Sequence, residues 1–110
     1  MGRLLLATLL VLILAAFWVE RSDASTDAAT RAICATFKSH CDEALRVSWC
    51  ESRWRTSATN GEHWGLFQVS KQWRRDVKGF AWDPWAQARH AYRVFVRVGY
   101  RWGPTWDCRP

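Results

Sequence analysis

No Cys-x-x-Cys pair occurs in this 110-residue chain, although it holds four cysteines. Structural zinc is bound through such pairs, so the thiols point elsewhere. Zinc-finger spacing, a ribonucleoprotein motif and a lysine-rich stripe are also missing. Their absence argues against nucleic acid as the partner. The chain has no internal repeat, no low-complexity tract and no linker, which leaves room for one domain. Proline and glycine are sparse, at three and six, so each one marks a boundary. Acids are outnumbered, 10 against 16 Lys and Arg, for a formal charge of +6. That balance favours an anionic polymer or surface without choosing among wall, membrane and nucleic acid.

A long apolar run is missing too. Leu4 to Val19 follows a basic Met1-Gly2-Arg3 start but falls short of the roughly 20 residues a bilayer span needs. Glu20-Arg21 breaks it, and Ser22-Asp23-Ala24 places small residues where a signal peptidase cuts. Residues 1–24 therefore read as a secretory signal, with an uncleaved membrane anchor as the alternative. Arg3 and Arg21 cancel Glu20 and Asp23, so residues 25–110 keep the +6. A domain this small has little core and often needs covalent support. Cys34, Cys41, Cys50 and Cys108 all follow the signal, and an even count in an exported chain reads as two disulfides.

Helical signals dominate the domain. Ser25-Thr26-Asp27 is an N-cap cluster, followed by a helix through Phe37 with Ile33, Cys34 and Phe37 on one face. Lys38-Ser39-His40 reads as its end. Asp42-Glu43 opens a second helix, with acids where the dipole favours them. Leu45, Trp49 and Ser52 form one stripe and Val47, Cys50 and Trp54 the next, predicting a wide buried face with Glu51 beside it. Asn60-Gly61 marks a turn, and the segments around it suffice for a small β-ribbon at most. Ser70 can cap a short helix through Val77. Asp83-Pro84 starts the clearest helix, with Trp85, Ala88, Ala91, Tyr92, Phe95 and Val98 at helical spacing and Gly99 as its cap. The tail, with Trp102 and Trp106, must pack back on the body. Of the eight tryptophans in residues 25–110, most belong to the core and a few to a site, since indoles also stack on sugar faces.

Helical rise limits the disulfides. Cys41 and Cys50 on one helix lie about 13 Å apart at 1.5 Å per residue. A disulfide needs Cα atoms within about 7 Å, so this pair and its complement Cys34–Cys108 are excluded. Two pairings remain. Cys34–Cys41 with Cys50–Cys108 is preferred, because a helix end between Cys34 and Cys41 permits the first bond.

Three motifs in order then carry a resemblance: Cys50-Glu51-Ser52, Ala58-Thr59-Asn60 and Gly65-Leu66-Phe67-Gln68. Roughly from Leu45 to Cys108, the chain resembles the lysozyme-like superfamily. It is most similar to small bacterial lytic transglycosylase (SLT-like) and resuscitation-promoting-factor domains. These share a Glu-Ser at a helix end, a Gly-Leu-(Met/Phe)-Gln segment and a later Ala-Tyr, here Ala91-Tyr92. The resuscitation-factor pattern of Cys-Glu-Ser with a distant C-terminal cysteine supports Cys50–Cys108. Animal-type lysozymes resemble the same stretch but carry a second carboxylate two residues before the glycine. That place holds His63 here, with Glu62 displaced by one. The implied fold is a mainly α, small lysozyme-like α+β domain with a minimal β-ribbon, stapled by two disulfides.

The implied activity is cleavage of peptidoglycan between N-acetylmuramic acid and N-acetylglucosamine, outside the cell or in the wall, by a monomer without cofactor or metal. Glu51 is the expected proton donor. Such an acid must stay protonated near neutral pH, and burial against apolar rings achieves that by stripping water from the anion. Trp49, Trp54 and Phe67 are the expected shield. Gln68 is expected on a sugar amide or hydroxyl, or else satisfying its own loop. Tyr92 is expected beside Glu51, or else in helix core. Ser52 would hold a hydroxyl or cap the helix end, and Trp64 would be a stacking platform or core. Among second carboxylates, Asp83 reads as a helix cap and Asp76 as a surface ion pair, which leaves Glu62. A lytic transglycosylase needs no second acid, because the sugar's own 6-hydroxyl attacks, so the shortage of acids tilts toward that chemistry. The competing readings are a lysozyme-type hydrolase, a non-catalytic glycan- or wall-binding module, and a basic, Trp-rich membrane-active protein.

Overall fold

The computed structural model describes residues 25–70 and 78–110. The expected signal segment, the greater part of the expected Ser70–Val77 helix and Asp76 lie outside the described residues. Ser70 itself ends a strand. The element order is helix α1 (25–37), a 3-10 turn Lys38–His40, helix α2 (Cys41–Ser52), strand β1 (His63–Trp64), strand β2 (Val69–Ser70) and helix α3 (Pro84–Arg97). The chain is mainly helical, as expected, with one two-stranded antiparallel ribbon that pairs His63 with Ser70 and Trp64 with Val69. No described helix is long and apolar enough to cross a membrane.

α1 buries Ala29, Ala32, Ile33 and Phe37, a stripe at three- and four-residue spacing. The 3-10 turn then redirects the chain, so Cys34 and Cys41 meet with Cα atoms 4.5 Å apart and form a disulfide. The preferred pairing holds: Cys50 and Cys108 are also bonded, 6.0 Å apart at Cα.

α2 differs from expectation in which face it buries. Ala44, Val47, Ser48 and Ser52 point inward, whereas Trp49 stays 44% exposed. The inward residues are small, and the buried hydroxyls are satisfied within the helix, Ser48 on Ala44 O at 2.7 Å and Ser52 on Ser48 O at 3.0 Å. The helix stops because Arg53 and Trp54 both adopt left-handed backbone, at φ 55° and 59°. That reversal folds Trp54 back along the helix, where its indole N–H donates to Leu45 O at 3.2 Å and its ring meets Trp49 edge-on.

The turn signal behaves as expected. Asn60 Oδ1 accepts from the N–H groups of Glu62 and His63 at 3.0 and 2.8 Å, closing an Asx turn into β1. At the other end of the ribbon Gly65 has φ 84°, and a Cβ there would sit 2.7 Å from the Gln87 carboxamide. Gln87, fully buried on α3, is a hub that hydrophobic periodicity does not signal. Its Oε1 accepts from Leu66 N at 2.8 Å, and its Nε2 donates to Phe80 O and Thr56 O at 2.6 and 3.0 Å. It thereby joins three loop segments to one helix.

α3 begins as its sequence dictates. The Asp83 carboxylate accepts from Trp85 N at 2.9 Å and Pro84 occupies the first turn. It ends in a Schellman closure, with Gly99 N on Val96 O and Tyr100 N on Phe95 O, and Gly99 at φ 81°. The tail then returns. Trp102 stacks on Phe95 with ring centroids 4.3 Å apart and on Phe37 at 5.7 Å, and Phe67 completes the aromatic core. Each buried indole N–H finds an acceptor: Trp102 on Glu43 Oε2 and Trp106 on Phe67 O, both at 2.8 Å.

Two outcomes test this assembly. Gln87→Leu strands the Leu66 N–H and two carbonyls and should cost about 3 kcal/mol. Joint replacement of Cys50 and Cys108 by serine opens a 58-residue separation and should cost about 4 kcal/mol by loop entropy. Urea denaturation checks both.

Candidate active site

Glu51 lies in the last turn of α2, half-buried, where the helix dipole disfavours an anion. It borders a cleft of about 330 Å³ lined by Asn60, His63, Gln68, Thr105, Trp106 and Asp107. The wall on one side comes from the turn and ribbon. The wall on the other comes from the tail, held there by Cys50–Cys108 and by the Trp106 bond to Phe67 O. The backbone N–H of Cys108 donates to Glu51 Oε1 at 3.3 Å.

Burial pushes the Glu51 carboxyl above its ordinary range. The Cys108 N–H partly opposes this by stabilising the anion, the Asp107 carboxylate adds to the rise, and His63 lowers it again. The net direction is upward, which is what a proton donor requires.

The apolar shield is not the expected one. Trp49 and Trp54 flank a separate, mostly apolar depression of about 380 Å³ with Asp42, Leu45 and Arg46, and Arg53 sits 5.0 Å over the Trp49 ring. Trp49 lies two positions from Glu51, which turns it to another side of the helix. Phe67 is also absent from the cleft, since its ring is fully buried in the aromatic core. Trp106 is the indole that borders Glu51.

Among the expected substrate residues, the structure brings Gln68 to Glu51 and not the others. Gln68 has left-handed backbone at φ 48°, and its Nε2 donates to Ala58 O and Gly65 O, both at 2.9 Å. The amide thus satisfies its own loop and lines the cleft at once. Ser52 is buried, with its hydroxyl spent on Ser48 O. Trp64 donates to Thr56 O at 3.1 Å and packs on the core. Tyr92 meets Phe37 edge-on at 5.3 Å and belongs with the core. Glu62 is exposed in the Asx turn and does not line the cleft.

Two further residues line the cleft. His63, which the sequence marks as more often a surface residue than a base, faces Glu51. Asp107 is the second carboxylate of the cleft. A signal for it existed: if Cys50 joins Cys108, the neighbour of one must lie near the neighbour of the other. A second hollow of about 330 Å³ continues from the cleft, sharing His63, Gln68, Thr105 and Trp106 and adding Val69, Val94, Val98 and Pro104. No cluster that could hold a metal ion occurs among the described residues.

No family model matches the chain, and neither a curated protein nor a solved structure matches it.

The raised Glu51 carboxyl has a stability consequence. A folded state that holds its proton more tightly than the unfolded chain is most stable below the ordinary carboxyl range and loses that contribution as pH rises through the raised value. Glu51→Gln should therefore melt higher than wild type at pH 7, with the gap closing toward pH 4. Thermal denaturation at the two pH values reads the difference.

Proposed function

We propose that this chain is a secreted, lysozyme-like enzyme that cleaves the glycosidic bond between N-acetylmuramic acid and N-acetylglucosamine in peptidoglycan. The single observation that carries this reading is Glu51: a half-buried carboxyl held above its ordinary range, facing an open cleft beside an amide and an indole. Bond cleavage needs a proton delivered to the leaving oxygen, and this group has the environment to hold one. The motif order around it, Cys50-Glu51-Ser52 to Gly65-Leu66-Phe67-Gln68, supports the same assignment.

One carboxyl suffices for lytic transglycosylase chemistry. Glu51 protonates the leaving oxygen. Its conjugate base then accepts the proton of the 6-hydroxyl that attacks the anomeric carbon, giving a 1,6-anhydro end. Gln68 Nε2 is held by its loop and the residue lines the cleft, so in this reading its Oε1 accepts from a sugar amide or hydroxyl. Trp106 is largely buried and serves as wall rather than as an open stacking platform. The +6 charge favours approach to the carboxylate-bearing wall polymer.

Glu51→Gln should reduce cleavage of purified peptidoglycan by at least about 100-fold while the variant still co-sediments with it. Wild-type activity should decline as pH rises past the elevated Glu51 value, because the donor form is then lost. Equal cleavage by wild type and variant would sink the enzymatic reading and leave a glycan-binding module. Lysis of protein-free vesicles by both would favour the membrane-active alternative.

A further inference from the structure

Among the described residues, the cleft contains two carboxyl groups in opposite surroundings. Glu51 is half-buried at a helix end, under the tail. Asp107 is exposed on that tail, and no ion pair or hydrogen bond among the described residues holds its side chain. The two are tied at close range through a single residue: Asp107 precedes Cys108, whose N–H bonds to Glu51 and whose sulfur bonds to the neighbouring Cys50. Paired carboxyls in unlike environments divide into a proton donor and a proton acceptor.

We propose that Asp107 is a second catalytic carboxylate, which accepts a proton from water and gives the same site a hydrolytic activity beside the intramolecular one. This rests on the reading of Glu51 as proton donor. In the first step the Glu51 proton passes to the glycosidic oxygen. The bond from that oxygen to the anomeric carbon breaks, and the electron pair leaves with the oxygen as a new hydroxyl. In the second step a water oxygen forms the bond to the anomeric carbon, and the water's proton goes to the Asp107 carboxylate. One water is consumed. Asp107 then carries the proton that Glu51 has lost, and solvent exchange restores both. On the competing route the 6-hydroxyl attacks, its proton returns to Glu51, and no water is used. The balance between reducing and 1,6-anhydro ends is thus set by Asp107. Among the described residues, His63 is the other titratable group facing Glu51, and it is the rival acceptor.

The test is digestion of purified peptidoglycan in ¹⁸O-water by the full domain, followed by mass spectrometry of both kinds of end. Wild type should give both, with ¹⁸O in the reducing ends alone. Asp107→Asn should lower the ratio of reducing to anhydro ends about tenfold while anhydro ends persist, and Asp107→Glu should restore part of it. Since residue 107 is exposed, unchanged circular dichroism is expected and a folding defect would not shift a product ratio. His63→Asn should leave the ratio alone. An unchanged ratio in Asp107→Asn overturns the proposal, as does a shift produced by His63→Asn instead, or a wild-type digest with anhydro ends only. Each of these leaves Glu51 as donor, provided Glu51→Gln abolishes both products. A wild type that yields neither end overturns both readings together.

Discussion

The bond between Cys50 and Cys108 is the constraint on which the site depends. It joins the end of the chain to the residue beside Glu51. Without the tail, the acid would face the turn and ribbon on one side and water on the other. With it, Thr105, Trp106 and Asp107 become a wall, and the Cys108 N–H reaches the carboxyl. The aromatic core makes this arrangement rigid. Trp102 stacks on Phe37 and Phe95, Trp106 meets Phe67 edge-on, and each indole N–H is satisfied, so the tail is anchored at two points before the disulfide closes it. The covalent tie fixes the last residues. The rings fix the path leading to them.

Glu43 and Glu51 show how the same tail tunes two acids in opposite directions. Both lie on α2. At the N-terminal end, Trp102 donates to Glu43, and this bond holds the Glu43 carboxyl below its ordinary range, with His40 assisting at 3.5 Å. The dipole favours an anion there as well. At the C-terminal end, burial outweighs the one backbone donor, and the Glu51 carboxyl rises. The contrast lies in what the tail brings. An indole N–H arrives beside Glu43, while Glu51 receives the Trp106 ring, a second carboxylate and a single long hydrogen bond.

Local signals in the sequence were enough to locate α1, the second helix, the Asn60-Gly61 turn, the Asp83-Pro84 start of α3 and its Gly99 end, because each depends on backbone chemistry within a few residues. Helix rise narrowed the disulfides to two pairings, a helix end favoured one of them, and the resemblance supported Cys50–Cys108. Side-chain direction on α2 was not legible. Both adjacent stripes were expected in one wide buried face, but burial falls on Ala44, Val47, Ser48 and Ser52, while Trp49 stays exposed and Trp54 folds back to Leu45. Gln87 was invisible for a different reason. A polar residue on a buried face contributes nothing to an apolar pattern, yet three loop segments are satisfied by it. Tyr92 and Trp64 are partly buried and pack against the core, where aromatic spacing alone cannot separate a packing role from a binding one.

A basic protein is an unfavourable place for a carboxyl held above its ordinary range, because positive charge stabilises the carboxylate. The +6 of this chain acts in that direction, and His63 does so within the cleft. The opposing influences are short-ranged: lost hydration, a helix C-terminus and the nearby Asp107. They prevail because exposed charges are screened over about 8–10 Å at physiological salt, whereas desolvation acts at the carboxyl itself. The two scales can therefore serve different ends. Distributed positive charge acts at long range through solvent, and the few groups around Glu51 act on one carboxyl. A site built this way can carry a strongly cationic surface without discharging its own acid.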